Sequence, residues 1–133
     1  MNEIERERER EINTIKKAIL DYYHEGHNQS DPELYKPILH DEWKFFLFDN
    51  EGKLRIIDKN EYLSWYDPNK VDKSLNWETE FYYVDITGNV GAAKIRLECQ
   101  RVRFIDYFNL MKIDNKWWIV HKISHGVDKT QKQ

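Results

Sequence analysis

The sequence predicts an α+β domain in which N-terminal helices cover one face of a curved antiparallel sheet. Three observations carry this. Apolar residues step by three and four through Ile12, Ile15, Ile19, Tyr22 and Tyr23, which makes one stripe of an amphipathic helix. Ala93, Ile95, Leu97 and Cys99 alternate with Lys94, Arg96, Glu98 and Gln100, the period of a strand with one buried face. The helical pattern comes first and the strand patterns follow one another, an order that puts the helices on one side of the sheet. At 133 residues the chain has the length of one domain, enough to bury roughly 70% of its extended surface.

Residues Glu5 to Glu11 alternate Glu and Arg and read as a solvated helical lead-in, so that residues 1–11 form a charged extension of helix one. Gly26 sits where a left-handed residue would close that helix, placing its end at about Glu25. Asp31-Pro32-Glu33 reads as an N-cap followed by proline at the first helical position, with Pro37 keeping the second helix short. Trp43–Phe48 and Leu54–Ile57, joined by Asp49-Asn50-Glu51-Gly52, predict a hairpin. Asp58 with Glu61 resembles a capping box before Tyr62, Leu63, Trp65 and Tyr66, hence a third short helix ended by Asp67-Pro68-Asn69. Phe81–Ile86, Ala93–Cys99, Phe104–Ile113 and Trp117–Ile123 then form an antiparallel meander with turns at Gly88-Asn89 and Asp114-Asn115. The polar residues 127–133 read as a frayed tail.

Strands of about ten residues span ~33 Å, longer than such a core needs, so they bend and leave a concave face. Asp106 is the first residue to place against that hollow. Strand parity groups it with Phe104, Phe108 and Leu110, where an unpaired charge costs several kcal/mol. It is therefore protonated, wet, or paired with Lys122 or an arginine across the sheet, unless parity flips and it meets water. Lys122 and His121 are adjacent, so strict alternation turns one of them inward and the other outward; parity with Trp117 and Ile119 favours His121, parity with Trp118 and Val120 favours Lys122. Tyr22 and Tyr23 can turn a phenol toward the hollow, and Trp43, Trp65, Trp77 and Phe108 can wall a planar ligand, although aromatics at such spacings also serve simply as core.

Other chemistries lack support. The formal charge is −3, from 21 Lys+Arg and 24 Asp+Glu, which gives no basic field for nucleic acid or an anionic membrane. No apolar run approaches the ~18 residues of a membrane span, and Met1–Arg6 lacks a secretory pattern, so the expected location is the cytoplasm. The single cysteine, Cys99, shares strand parity with Ile95 and Leu97 and reads as core. His24 and His27 stand at i,i+3, but a helix break at Gly26 separates them, and no glycine-rich phosphate loop or nucleophile elbow occurs; neither a metal nor another cofactor is expected.

Several segments together resemble the nuclear-transport-factor-2-like superfamily, and within it the lumazine-binding family that adjoins polyketide cyclases and ketosteroid isomerases. The carriers are Tyr23-His24-Glu25-Gly26 with Ser30-Asp31, Ile38-Leu39-His40, the run Asp85–Lys94, the block Phe104–Asp114, and Trp117-Trp118-Ile119-Val120-His121-Lys122, together covering about residues 12–126. The resemblance implies a cone-shaped, cystatin-like α+β fold, a cavity between the sheet and helix one, and a homodimer formed through the sheet. By analogy with the isomerases it also implies roles for Tyr23 or Tyr22 as the helix-one phenol, Asp106 as a strand acid and His40 near the entrance as a base, although those enzymes carry a carboxylate where this chain has His40. The expected function is small-molecule binding in that cavity, with metal-free proton transfer of isomerase, dehydratase or cyclase type as an extension. The alternative is a non-catalytic dimeric interaction or scaffold domain whose interior is filled by Trp and Phe.

Overall fold

The computed structural model describes residues 2–130. Asn2 caps α1 (Glu3–Ala18) through a capping box in which its side chain accepts from the Glu5 amide. Ile15 lies on the buried face of α1, and Ile19 and Tyr23 continue that face through one π-helical stretch, Ile19–His24. The charged lead-in is more than a solvated arm: Arg8 bonds Asp85 at 2.6 Å, and Glu11 pairs with Lys112.

The helical path does not stop at Gly26. It continues as α2 (Glu25–Gln29) and ends at Ser30, whose φ of 50° is the left-handed residue that Gly26 was expected to be. Gly26 is needed for closeness rather than for φ: a Cβ there would stand 2.5 Å from the Tyr35 ring. Asp31 then caps α3 (Pro32–Tyr35), which delivers Tyr35 into that contact.

The expected hairpin is β1 (Leu39–Phe48) with β2 (Leu54–Asp58), and Asp58 caps α4 (Lys59–Leu63) by accepting from Glu61 N–H. The meander comprises β3 (Glu78–Thr87), β4 (Val90–Glu98), β5 (Val102–Ile113) and β6 (Lys116–Asp128). One sheet runs β2-β1-β6-β5-β4-β3, and its β1–β6 pair is parallel, a departure from the all-antiparallel expectation. That pairing closes the hairpin onto the meander, since Leu39 faces Ile119 and Phe45 faces Lys122.

β6 is longer than Trp117–Ile123 and carries a bulge. Asn109 pairs with His121 while Leu110 pairs with Ile119, leaving Val120 as an extra residue. The insertion reverses parity along the strand. Trp117 and Ile119 face the core, and so do Lys122 and Ser124 beyond the bulge, whereas His121 faces outward against Phe46 at 4.7 Å between ring centres. A second bulge at Tyr82, between Phe81 opposite Ile95 and Tyr83 opposite Lys94, bends β3. The end of β6 is anchored, since Lys129 Nζ donates to Glu98 and to the Cys99 carbonyl; of the tail expected to fray, residues 131–133 lie outside the described part.

Among the described residues no helix is long and apolar enough to cross a membrane. The close Gly26–Tyr35 approach gives a direct check. Gly26→Ala forces the Tyr35 ring away and is expected to lower unfolding free energy by about 1–3 kcal/mol in urea titration, against a null effect if the position were merely a helix end.

Candidate functional site

The inner face of the sheet, α2, α4 and the segment that follows α4 enclose a half-open hollow of about 450 Å³. Its walls are aromatic: Phe45 and Phe104 from the sheet, Tyr62, Trp65 and Tyr66 from α4 and beyond, and Trp77 from the approach to β3. Lys122 and Ser124 come from β6, while Lys70, Asp72 and Arg101 stand among its polar lining.

Lys122 is 4% exposed, an extreme burial for an ammonium group, and the bulge at Val120 is what turns it inward. Its Nζ donates to the Tyr23 hydroxyl at 2.7 Å and to the Tyr62 hydroxyl at 3.4 Å. It also lies over the rings of Phe45, Tyr62 and Tyr23, at 4.1, 4.8 and 5.2 Å from their centres. The Tyr23 hydroxyl in turn donates to Asp106 Oδ2 at 2.7 Å. The cation and the carboxylate thus meet through a phenol, which accepts from one and donates to the other. Burial lowers the Lys122 pKa from its ordinary value, and Asp106 opposes that shift.

Asp106 is fully buried in mid β5, opposite Ile95 on one side and Ser124 on the other. Its Oδ1 and the Ser124 Oγ have no hydrogen-bond partner among the described residues, an uncommon state for buried polar atoms. Phenols extend the network: Tyr66 donates to Tyr62 at 2.8 Å, and the Tyr35 ring packs on both, 5.3 Å from the Tyr62 ring centre and 4.6 Å from that of Tyr66. Burial pushes all four phenols up, Tyr66 to about 12, so they remain protonated donors at neutral pH.

His27 of α2 also lines the hollow, between Tyr66 and Trp77. Burial, and then the Lys122 charge, hold its pKa down to about 3, so the imidazole is neutral. Sequence reading weighed His27 only as a metal ligand paired with His24. It missed Tyr62, Tyr66, Phe45 and Ser124 as lining residues too. The i,i+4 spacing of Tyr62 and Tyr66 was the available signal.

Of the residues singled out from sequence, the structure brings together Tyr23, Asp106, Lys122, Trp65 and Trp77, backs them with Trp43 and Phe108, and sets Tyr22, His40 and His121 apart. Trp43 is fully buried against Tyr62, and Phe108 is buried with its ring edge-on to Tyr23 at 4.9 Å; both support the site from behind. Tyr22 opens on a different hollow between α1 and the β5–β6 hairpin. His121 faces outward, and His40 packs on Trp118 at 5.7 Å and accepts from the Glu42 amide, outside the aromatic hollow. No group of three His, Cys, Asp or Glu side chains among the described residues is placed to hold a metal ion.

The family model described as "Putative lumazine-binding" matches residues 10–125. Among solved structures, a protein of unknown function from Shewanella baltica, called NTF2-like (nuclear-transport-factor-2-like), is 24% identical with a TM-score of 0.77, over 89% of this chain and 94% of that one. An NTF2-like protein of unknown function from Methylobacillus flagellatus is 25% identical with a TM-score of 0.71, over 87% and 94%. A Nostoc punctiforme domain of unknown function with a cystatin-like fold is 16% identical with a TM-score of 0.63, over 84% and 74%. No curated protein matches the chain.

Two outcomes follow from the site's electrostatics. Tyr23→Phe leaves Asp106 without its donor and Lys122 without its nearer acceptor, and is expected to cost about 1.5–3 kcal/mol in chemical denaturation. Because the folded state holds His27 neutral while the unfolded chain protonates near 6.5, the unfolded state binds more protons between about 3 and 6.5. Stability is therefore lost as pH falls through that window, by up to about 1.4 kcal/mol per pH unit from this residue. His27→Gln should flatten the pH dependence of unfolding there relative to wild type; identical slopes would show that His27 titrates normally.

Proposed function

This chain belongs to the lumazine-binding family, and from that premise we propose that its hollow holds a planar heteroaromatic molecule carrying carbonyl oxygens. The observation that carries this reading is the Lys122 ammonium at the wall of an aromatic hollow, oriented from behind by Tyr23 and Asp106. Trp65, Trp77, Tyr62 and Tyr66 offer faces for a flat ring, and one pre-oriented cation offers a donor to a carbonyl or an oxyanion. The lining residues Lys70, Arg101 and Lys122 outnumber the single acid Asp72, so the hollow is cationic in a chain of net charge −3. That sign favours an electron-rich or acidic ligand.

Binding is favoured over proton transfer with His40 as base, because His40 stands outside the hollow. Lumazine itself, pteridine-2,4-dione, is a suitable probe: flat, bicyclic and twice carbonylated. Fluorescence titration is expected to give saturable binding that Lys122→Met weakens about ten- to hundredfold, the loss of one charge-assisted hydrogen bond. Equal affinity in the variant, or no saturable binding to wild type, would contradict the reading.

The second part of the proposal is a homodimer through the outward face of the sheet. One continuous rung crosses all six strands there: Ile56, Phe46, Ile123, Tyr107, Lys94 and Tyr83. Ile56 is 51% exposed and Ile123 46%, and Lys94 lies 5.2 Å from the Tyr107 ring centre. Such an apolar band is the composition of an interface core rather than of a solvated surface. Light scattering should give twice 16.3 kDa for wild type and 16.3 kDa for Ile123→Lys; a monomeric wild type would refute it.

A further inference from the structure

His27 carries an inference that deepens the ligand reading above and rests on it. Its Nδ1 lies 3.0 Å from the Tyr23 carbonyl oxygen. A carbonyl can only accept, so Nδ1 bears the proton and Nε2 keeps the lone pair. The Tyr35 hydroxyl, 2.8 Å from the same Nδ1, accepts from it as well. The neighbour of Nε2 is the Tyr66 hydroxyl at 3.5 Å, whose single proton goes to the Tyr62 oxygen at 2.8 Å. Nε2 is therefore a fixed acceptor without a short donor, on a residue that lines the hollow.

The other polar groups of the hollow do not duplicate this role. Lys122 only donates. Asp72 is engaged by Arg101 at 3.0 Å and by Ser74. Ser124 has a hydroxyl that donates or accepts and so discriminates weakly. A wall that carries obligate donors, the buried Lys122 among them, together with His27 Nε2 as an acceptor not engaged by an ion pair reads a ring edge that presents a carbonyl and an N–H.

We infer that His27 Nε2 accepts a hydrogen bond from a ring N–H of the ligand while Lys122 donates to a carbonyl, so that the site selects planar cyclic imides and lactams over their N-alkylated forms. The selection is chemical as well as steric, since a half-buried acceptor that faces a methyl group is left without a short donor.

The test compares lumazine with 1,3-dimethyllumazine, which keeps both carbonyls and lacks both ring N–H groups, on the wild-type chain and on His27→Phe. Wild type is expected to prefer lumazine at least tenfold. In His27→Phe that preference should shrink to threefold or less, because lumazine alone loses a partner. A preference that persists undiminished in His27→Phe is steric exclusion of the methyl groups and overturns the role of His27. Equal affinities in wild type overturn it as well, while leaving the Lys122-dependent binding of lumazine intact. Absence of binding by either compound overturns both readings together. Should His27→Phe fail to fold, the 15N resonance of His27 Nε2 in wild type decides: it should move on adding lumazine and stay in place on adding the dimethyl compound, and a resonance that responds alike to both contradicts the inference.

Discussion

A lysine ammonium removed from water and surrounded by three aromatic rings is untenable without an acceptor, and the shape of this molecule follows from how that acceptor is supplied. Tyr23 accepts from Lys122 and hands its own proton to Asp106. Neither charge could be buried alone without a penalty of several kcal/mol. The phenol between them lets the cation sit at the wall of the hollow while the carboxylate stays behind it, fully shielded.

Two backbone irregularities of the fold serve that arrangement. The π-helical stretch Ile19–His24 carries Tyr23, and the bulge at Val120 carries Lys122 to the inner face without giving up the burial of Trp117 and Ile119. Such insertions are locally unfavourable and concentrate at functional sites, where they re-aim side chains. Their coincidence on the two partners of one hydrogen bond ties local distortion to the chemistry of the hollow. Gly26 completes the set, because the Tyr35 ring that presses against it also joins the phenol network beside His27.

Much of the fold was legible because it rests on periodicity and local caps. The amphipathic stripe of α1, the Asp31 and Asp58 caps and the alternation of β4 all appear in the structure where the sequence puts them. What escaped depends on contacts between distant segments. The parallel β1–β6 pairing has no local signature. The end of the first helical path was misplaced because Gly26 looked like a terminator, while its reason is the ring of Tyr35, nine positions further along the chain. At the site, parity reasoning correctly grouped Asp106 with Phe108 and Leu110, yet it forced a choice between His121 and Lys122 under an assumption of strict alternation. One inserted residue removed that assumption. His27 and the Tyr62–Tyr66 pair were invisible as site residues because α2, α4 and the segment after α4 had to be placed over the sheet before their side chains could converge.

The coupling of Lys122 to Asp106 through Tyr23 is the claim on which the rest stands, and a double-mutant cycle measures it most directly. Unfolding free energies of Asp106→Asn, Lys122→Met and the double variant should depart from additivity by about 1.5 kcal/mol or more, the range for groups sharing one buried hydrogen-bond network. Additivity within about 0.5 kcal/mol would show that the two residues act independently and that the phenol between them is ordinary core packing.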